Sequence, residues 1–153
     1  MEEHMIKRIL VPTDGSQVSQ KAAKYAVNLA KQTGATLIFL HVLDDRFLIS
    51  QSVPASSSPV HVKESVKDYL DQAMQSYIKE SAALCKRNDL SCQVLTMRGH
   101  PVSSIIKKAA AIKADLIVMG SHGRSGLQAV MLGSVTHGVL NSGTKIPVLV
   151  IKK

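Results

Sequence analysis

Apolar residues gather in five short runs along the chain, at residues 6–11, 36–42, 91–97, 115–119 and 148–151. All but the third are nearly continuous hydrophobic stretches, and the third alternates. Continuous runs of this length suit strands buried on both faces, which predicts a parallel sheet covered by helices on each side. Between the runs the apolar period changes to about 3.6 residues. Val18, Ala22, Ala26, Leu29 and Ala30 form one helical stripe, opened by Ser16 as N-cap and closed by Gly34 as C-cap. Val62, Val66, Leu70, Ala73, Tyr77 and Leu84 form a longer one. Pro101, Val102, Ile105, Ile106 and Ala109 form a third, with proline in the first turn where a missing N–H does no harm. A last helix spans residues 134–141 and stops at Gly143.

Strand and helix therefore alternate throughout. Right-handed crossovers turn that order into one domain over residues 1–153: an α/β, doubly wound, five-stranded parallel sheet of order 3-2-1-4-5, with helices on both faces. The exception is a serine- and proline-rich stretch at residues 50–59, within a loop of about residues 44–61 that reads as flexible.

The 153 residues carry a net charge of +8, but no more than two basic residues are adjacent and aromatic residues are 3%. Specific nucleic-acid readout has no stacking platform here, while small polyanions such as nucleotides suit the same charge. No run approaches the ~20 apolar residues of a membrane span, and residues 1–4 lack the features of a secretory signal. Cys85 and Cys92 lack redox or metal spacing such as C-x-x-C and read as separate small hydrophobes in a reducing compartment. The expected location is cytoplasmic.

The candidate chemistry lies in residues 115–136, DLIVMGSHGRSGLQAVMLGSVT. A buried strand runs into Gly120, Gly123 and Gly126, and Gly133-Ser134 opens the last helix. Glycines at strand ends admit bare N–H groups to a ligand, and a helix start adds unpaired donors and a positive dipole end. Ser134 and Thr136 offer hydroxyls and Arg124 a charge, so the segment suits phosphate. Residues 138–145 have Walker-type glycine spacing, but Thr144 and Lys145 come in reversed order and the segment closes a helix. No G-x-G-x-x-G occurs, and Ser125 is one residue short of a nucleophile elbow.

The first strand ends in Val11-Pro12-Thr13-Asp14-Gly15-Ser16. A carboxylate inside a phosphate cradle repels the ligand, so Asp14 belongs beside it, facing ribose hydroxyls or a metal's water. In the order 3-2-1-4-5, strands 1 and 4 are neighbours whose helices leave to opposite faces. The crevice between them is where such sheets bind ligands. None of the six histidines shows ligand spacing; His41 reads as a hydrogen-bonded core residue and His122 as a solvent-facing loop residue.

V-P-T-D-G-S after the first strand, L-H-V ending the second, the G-x2-G-x9-G-S of Gly120, Gly123, Gly133 and Ser134, and the closing I-P-V-L-V-I resemble the universal stress protein family over nearly the whole chain. The full glycine spacing resembles the family's ATP-binding branch. That resemblance implies an adenine and ribose border at Pro12, Thr13, Asp14 and Val42. It implies a ribose and phosphate edge at Met119, Gly120 and Gly123, with phosphates at Gly133, Ser134, Val135 and Thr136. It also implies a homodimer joined through strand 147–151. Ser125 stands where glycine is common, and Gly138 inside the last helix costs about 1 kcal/mol relative to alanine.

The leading expectation is a regulatory protein that binds ATP, ADP or AMP, with Mg²⁺ as a companion of the phosphates and neither catalytic residues nor metal ligands of its own. A slow ATPase using water near Asp14, and a dimeric scaffold with an empty cleft, are the alternatives.

Overall fold

Buried strands dictate the layout. The structure is a computed structural model describing residues 5–44, 59–123 and 132–153, without the side chains of residues 59–66. In chain order the elements are β1 (Arg8–Thr13), α1 (Gln17–Thr33), β2 (Thr36–Leu43), α2 (Pro59–Arg87), β3 (Cys92–Arg98), α3 (Pro101–Ala111), β4 (Leu116–Gly120), α4 (Ser134–Leu140) and β5 (Val148–Ile151). The strands form one sheet of order β3-β2-β1-β4-β5, and every pairing is parallel.

Side chains alternate across the pleat, which divides each strand between two apolar cores. Ile9, Val11, Leu37, Phe39, Leu116 and Val118 meet α1 and the end of α2 on one face. Leu10, Ile38, Leu40, Ile117 and Met119 meet α3 and α4 on the other. Nearly continuous apolar strands follow from burial on both sides. The third run differs: in the edge strand β3, partly buried Cys92, Val94, Leu95 and Met97 are interspersed with exposed Gln93, Thr96 and Arg98.

The caps of α1 are those the sequence announces. The Ser16 hydroxyl accepts from Ser19 N–H at 3.2 Å, and Gly34 takes a left-handed φ of 72° while donating to the Ala30 carbonyl. The long helix starts earlier than its apolar stripe, at Pro59, where the fixed φ of proline suits a first helical residue. Residues 59–61 are thus helical rather than loop. The remainder of the serine-rich loop, residues 45–58, lies outside the described residues, as do residues 1–4. Gly138 of α4 has a packing cause: a Cβ there meets Val102 of α3 at 2.6 Å, so glycine permits the two helices to touch.

The cysteine expectation is corrected. Cys85 and Cys92 form a disulfide, with Cα atoms 6.2 Å apart. After α2 the chain folds back through Asp89, whose φ is 51°, and the helix end comes to rest on the first residue of β3. Spacing rules for metal and redox motifs do not test for such a fold-back. The inference of a reducing compartment from separate thiols loses its premise.

Candidate functional site

The cleft originates in the backbone. β1 and β4 pair only at Ile9↔Leu116 and Leu10↔Ile117, and then part. β1 meanwhile stays paired to β2 as far as Thr13↔His41. Pro12, with no N–H for a ladder, follows just past the last β1–β4 pair. α1 leaves β1 toward one face and α4 follows β4 on the other, so the gap is a topological switch point.

A cavity of about 570 Å³ opens there. Pro12, Thr13 and Asp14 border it from β1 and the turn after it, and Val42 from β2. Met119, Gly120 and Gly123 come from β4 and its loop, and Gly133, Ser134, Val135 and Thr136 from the start of α4. One cleft thus gathers every described residue that the sequence nominates. Arg124, like Ser125, Gly126 and Met131, lies outside the described residues.

Asp14 holds the turn together. Its Oδ1 accepts from Ser16 N–H at 2.9 Å, and its Oδ2 faces Gly123, where a Cβ would sit 2.7 Å away. Gly133 is confined less severely, since a Cβ on it would meet His122 Cα at 3.2 Å and Gly123 N at 3.3 Å. Gly120 lies against the first turn of α1, 2.9 Å from Val18 Cγ1 by the same measure. These glycines are needed for close approach. None of the three has a φ in the left-handed region; that conformation falls instead to Gly15, Gly34, Gly99 and Gly143.

Thr136 also differs from expectation. Its buried hydroxyl donates to the Gly120 carbonyl at 2.7 Å, so it ties α4 to the end of β4 and its proton is committed. Ser134 remains exposed at the start of α4. That helix has only seven residues, so backbone N–H groups matter more here than any summed dipole. His122, expected in solvent, borders the cavity instead, with Nδ1 2.8 Å from Ser121 Oγ.

Another wall was missed in the sequence. Leu70, Ala73, Met74 and Tyr77 of α2, with Pro101 and Ile105 of α3, make much of the lining apolar. Tyr77 packs onto Gly15, where a Cβ would run into its ring. It also stacks on His41, with centroids 5.9 Å apart and planes at 11°. The apolar stripe of α2 contained Tyr77, yet a stripe does not reveal whether it faces a core or a cleft.

His41 is the hydrogen-bonded core residue anticipated. It is 1% exposed, with Nδ1 3.4 Å from Thr13 Oγ1 and Nε2 3.2 Å from Ser81 Oγ. Burial pushes its imidazole down from 6.5 to about 4, so the ring is neutral at physiological pH. It links β1, β2 and α2 through uncharged hydrogen bonds. Among the described residues, no three His, Cys, Asp or Glu side chains group to hold a metal.

Comparison with known proteins agrees with this architecture. Universal stress protein MJ0531 of Methanocaldococcus jannaschii is 35% identical over 151 residues, covering 99% of this chain and 85% of its own. The solved structure of MJ0577, from the same organism, matches with a TM-score of 0.83 at 28% identity, covering 97% of both chains. A universal stress protein solved in complex with cAMP shares the fold, with a TM-score of 0.68 at 23% identity over 97% of this chain and 98% of that one. The family model for universal stress proteins matches residues 5–152, and this chain belongs to that family.

Proposed function

We propose that the chain binds an adenine nucleotide, ATP, in the cleft between β1 and β4, and that it acts as a regulatory homodimer rather than a dedicated catalyst. The observation that carries this reading is convergence: the Pro12–Asp14 turn, Val42, the Gly120–Gly123 loop and residues 133–136 border one cavity of about 570 Å³. That volume falls within the ~300–1,000 Å³ range of small-molecule sites. Its chemistry is two-sided. Val42, Met74 and Ile105 offer an apolar surface to a base, while the glycines bring backbone donors to phosphate. Asp14 stands between, with Oδ2 toward the Gly123 loop, in the position suited to ribose hydroxyls. Arg124, next after Gly123 in the sequence, is assigned to the phosphates by the sequence alone. Mg²⁺ would ride on the phosphates, and Asp14 and Asp44 are the carboxylates that border the cavity among the described residues. The cAMP of the structural relative belongs to that protein, and the case for this chain rests on its own cleft.

The sheet edges support the homodimer. At one edge β3 exposes Gln93, Thr96 and Arg98, whereas at the other the four residues of β5 are all apolar, with Val148, Leu149 and Val150 only partly buried. An apolar edge strand with unpaired backbone groups is an aggregation hazard unless covered. Pairing with a twofold copy satisfies those groups and buries the side chains.

Calorimetric titration with ATP, ADP and AMP tests the reading. Saturable binding of one nucleotide per chain is expected, and absence of binding by all three would overturn it. Single-turnover phosphate release distinguishes slow hydrolysis from binding alone. Asp14→Ala should cost about 1–3 kcal/mol toward ATP, the value of a buried polar contact. If Asp14 accepts from the ribose, 2′-deoxy-ATP should be penalised by the natural chain and hardly at all by the variant. Additive effects would exclude that contact.

A further inference from the structure

Charge is unevenly distributed along this chain. Residues 15–43, 90–114 and 116–153 contain no Asp or Glu at all. The excess is best organised on α1. Its inner stripe, including Val18, Ala22, Ala26 and Ala30, is buried on the sheet. Every exposed side chain of the helix is Lys, Gln, Asn or Tyr. Gln17, Lys21, Lys24, Asn28 and Lys31 recur at steps of four and three, so they form one line along the outer surface. From Lys21 to Lys31 that line runs about 15 Å.

The C-terminus extends it. Lys21 Nζ donates to the Lys152 carbonyl at 3.2 Å, which brings exposed Lys152 and Lys153 beside the helix. The resulting surface is rich in donors and holds no carboxylate of its own element.

Lys, Gln, Asn and Tyr are side chains that commonly contact phosphate oxygens, and such contacts bind without reading sequence. A protein partner normally needs a cluster of apolar or aromatic anchors, and this face offers only Tyr25, 51% exposed. Insertion at a lipid surface needs a free apolar helix face, and that of α1 is committed to the core. We propose that the outer face of α1, together with Lys152 and Lys153, docks the phosphate backbone of nucleic acid without sequence preference. The scattered charges and missing stacking platform that exclude specific readout are compatible with backbone docking.

Fluorescence anisotropy with a labelled mixed-sequence DNA duplex, over a series of salt concentrations, tests this on the full chain. The natural chain should bind at low salt, with affinity falling linearly on a log–log plot. The triple variant Lys21→Gln, Lys24→Gln, Lys31→Gln should bind at least tenfold more weakly, with the slope flattened by about 2–3, near 0.9 per lost phosphate contact. The control triple Lys107→Gln, Lys108→Gln, Lys113→Gln removes equal charge from the opposite layer and should keep affinity within about threefold, a margin below the per-contact effect. ATP affinity should be the same in both triples, which separates this surface from the cleft. The proposal is overturned by an equal loss in both triples, by no duplex binding at low salt, or by binding to anionic vesicles but not to duplex.

Discussion

Acid should destabilise this protein through His41. The ring is 1% exposed, and burial pushes its pKa down to about 4 from 6.5. The folded state therefore refuses a proton that the unfolded chain accepts. Stability from the neutral ring is fully present above about pH 6.5 and is lost progressively as pH falls toward about 4. The full displacement is worth about 3 kcal/mol, and about 2 kcal/mol of it is lost between about pH 7.5 and pH 5. No charge enters the set of Thr13, Ser81 and Tyr77 that His41 contacts, so its partners cannot take up the proton's charge. Urea denaturation at the two pH values, on the natural chain and on His41→Gln, isolates the effect. The variant should be less stable at neutral pH, yet show about 2 kcal/mol less dependence on pH over that interval. An identical pH dependence in the two proteins, or an NMR titration placing His41 near 6.5, would refute the reasoning.

The remaining expectations concern cleft, edge and bridge. Gly123→Ala sets a methyl group against Asp14 Oδ2, at 2.7 Å by ideal geometry. It should weaken ATP about tenfold, or 1.4 kcal/mol, as read by calorimetry, with the fold retained in circular dichroism. Leu149→Pro removes a donor from the middle of β5 and should yield monomers or aggregates in light scattering. A soluble monomeric natural chain at micromolar concentration would exclude β5 as the seam. Reducing the Cys85–Cys92 bridge, which spans a sequence separation of 7, should cost about 2–3 kcal/mol in urea denaturation. Free thiols in the purified chain, counted under denaturing conditions, would contradict the bridge.

Much of the fold was legible because each element announces itself locally. The runs of β1, β2 and β4 read as continuous because those strands are buried on both faces; β3 and β5 are the two edges, and only β3 mixes exposed polar residues into its run. Ser16 and Gly34 delimited α1 because their capping bonds lie within a few residues. The strand-end half of the site was legible for a related reason, since ligands gather at the carboxyl ends of strands around a switch point. The wall from α2 and α3 was not. Whether Tyr77 faces a core or a cleft depends on how far α2 stands from α1, and no local pattern encodes that distance. Thr136 was read as a phosphate donor because its partner, the Gly120 carbonyl, lies sixteen residues away across a segment of loop. The glycines read as openings for a ligand, whereas a Cβ at 120, 123 or 133 would also press on neighbouring side chains and backbone.

The short seam between β1 and β4 has a kinetic consequence. Ile9 and Leu116 meet across more than two-thirds of the chain, so this pairing carries a large loop-closure cost and favours slow, late assembly. The cleft has one wall on each side of that seam. Partly folded species that hold only β1 to β3 therefore have half a cleft and no means of retaining its occupant. A ligand that enters the cleft acts on the completed fold alone and adds RT ln(1 + [L]/Kd) to its stability. Occupancy of the cleft thus reports on how much of the chain has finished folding.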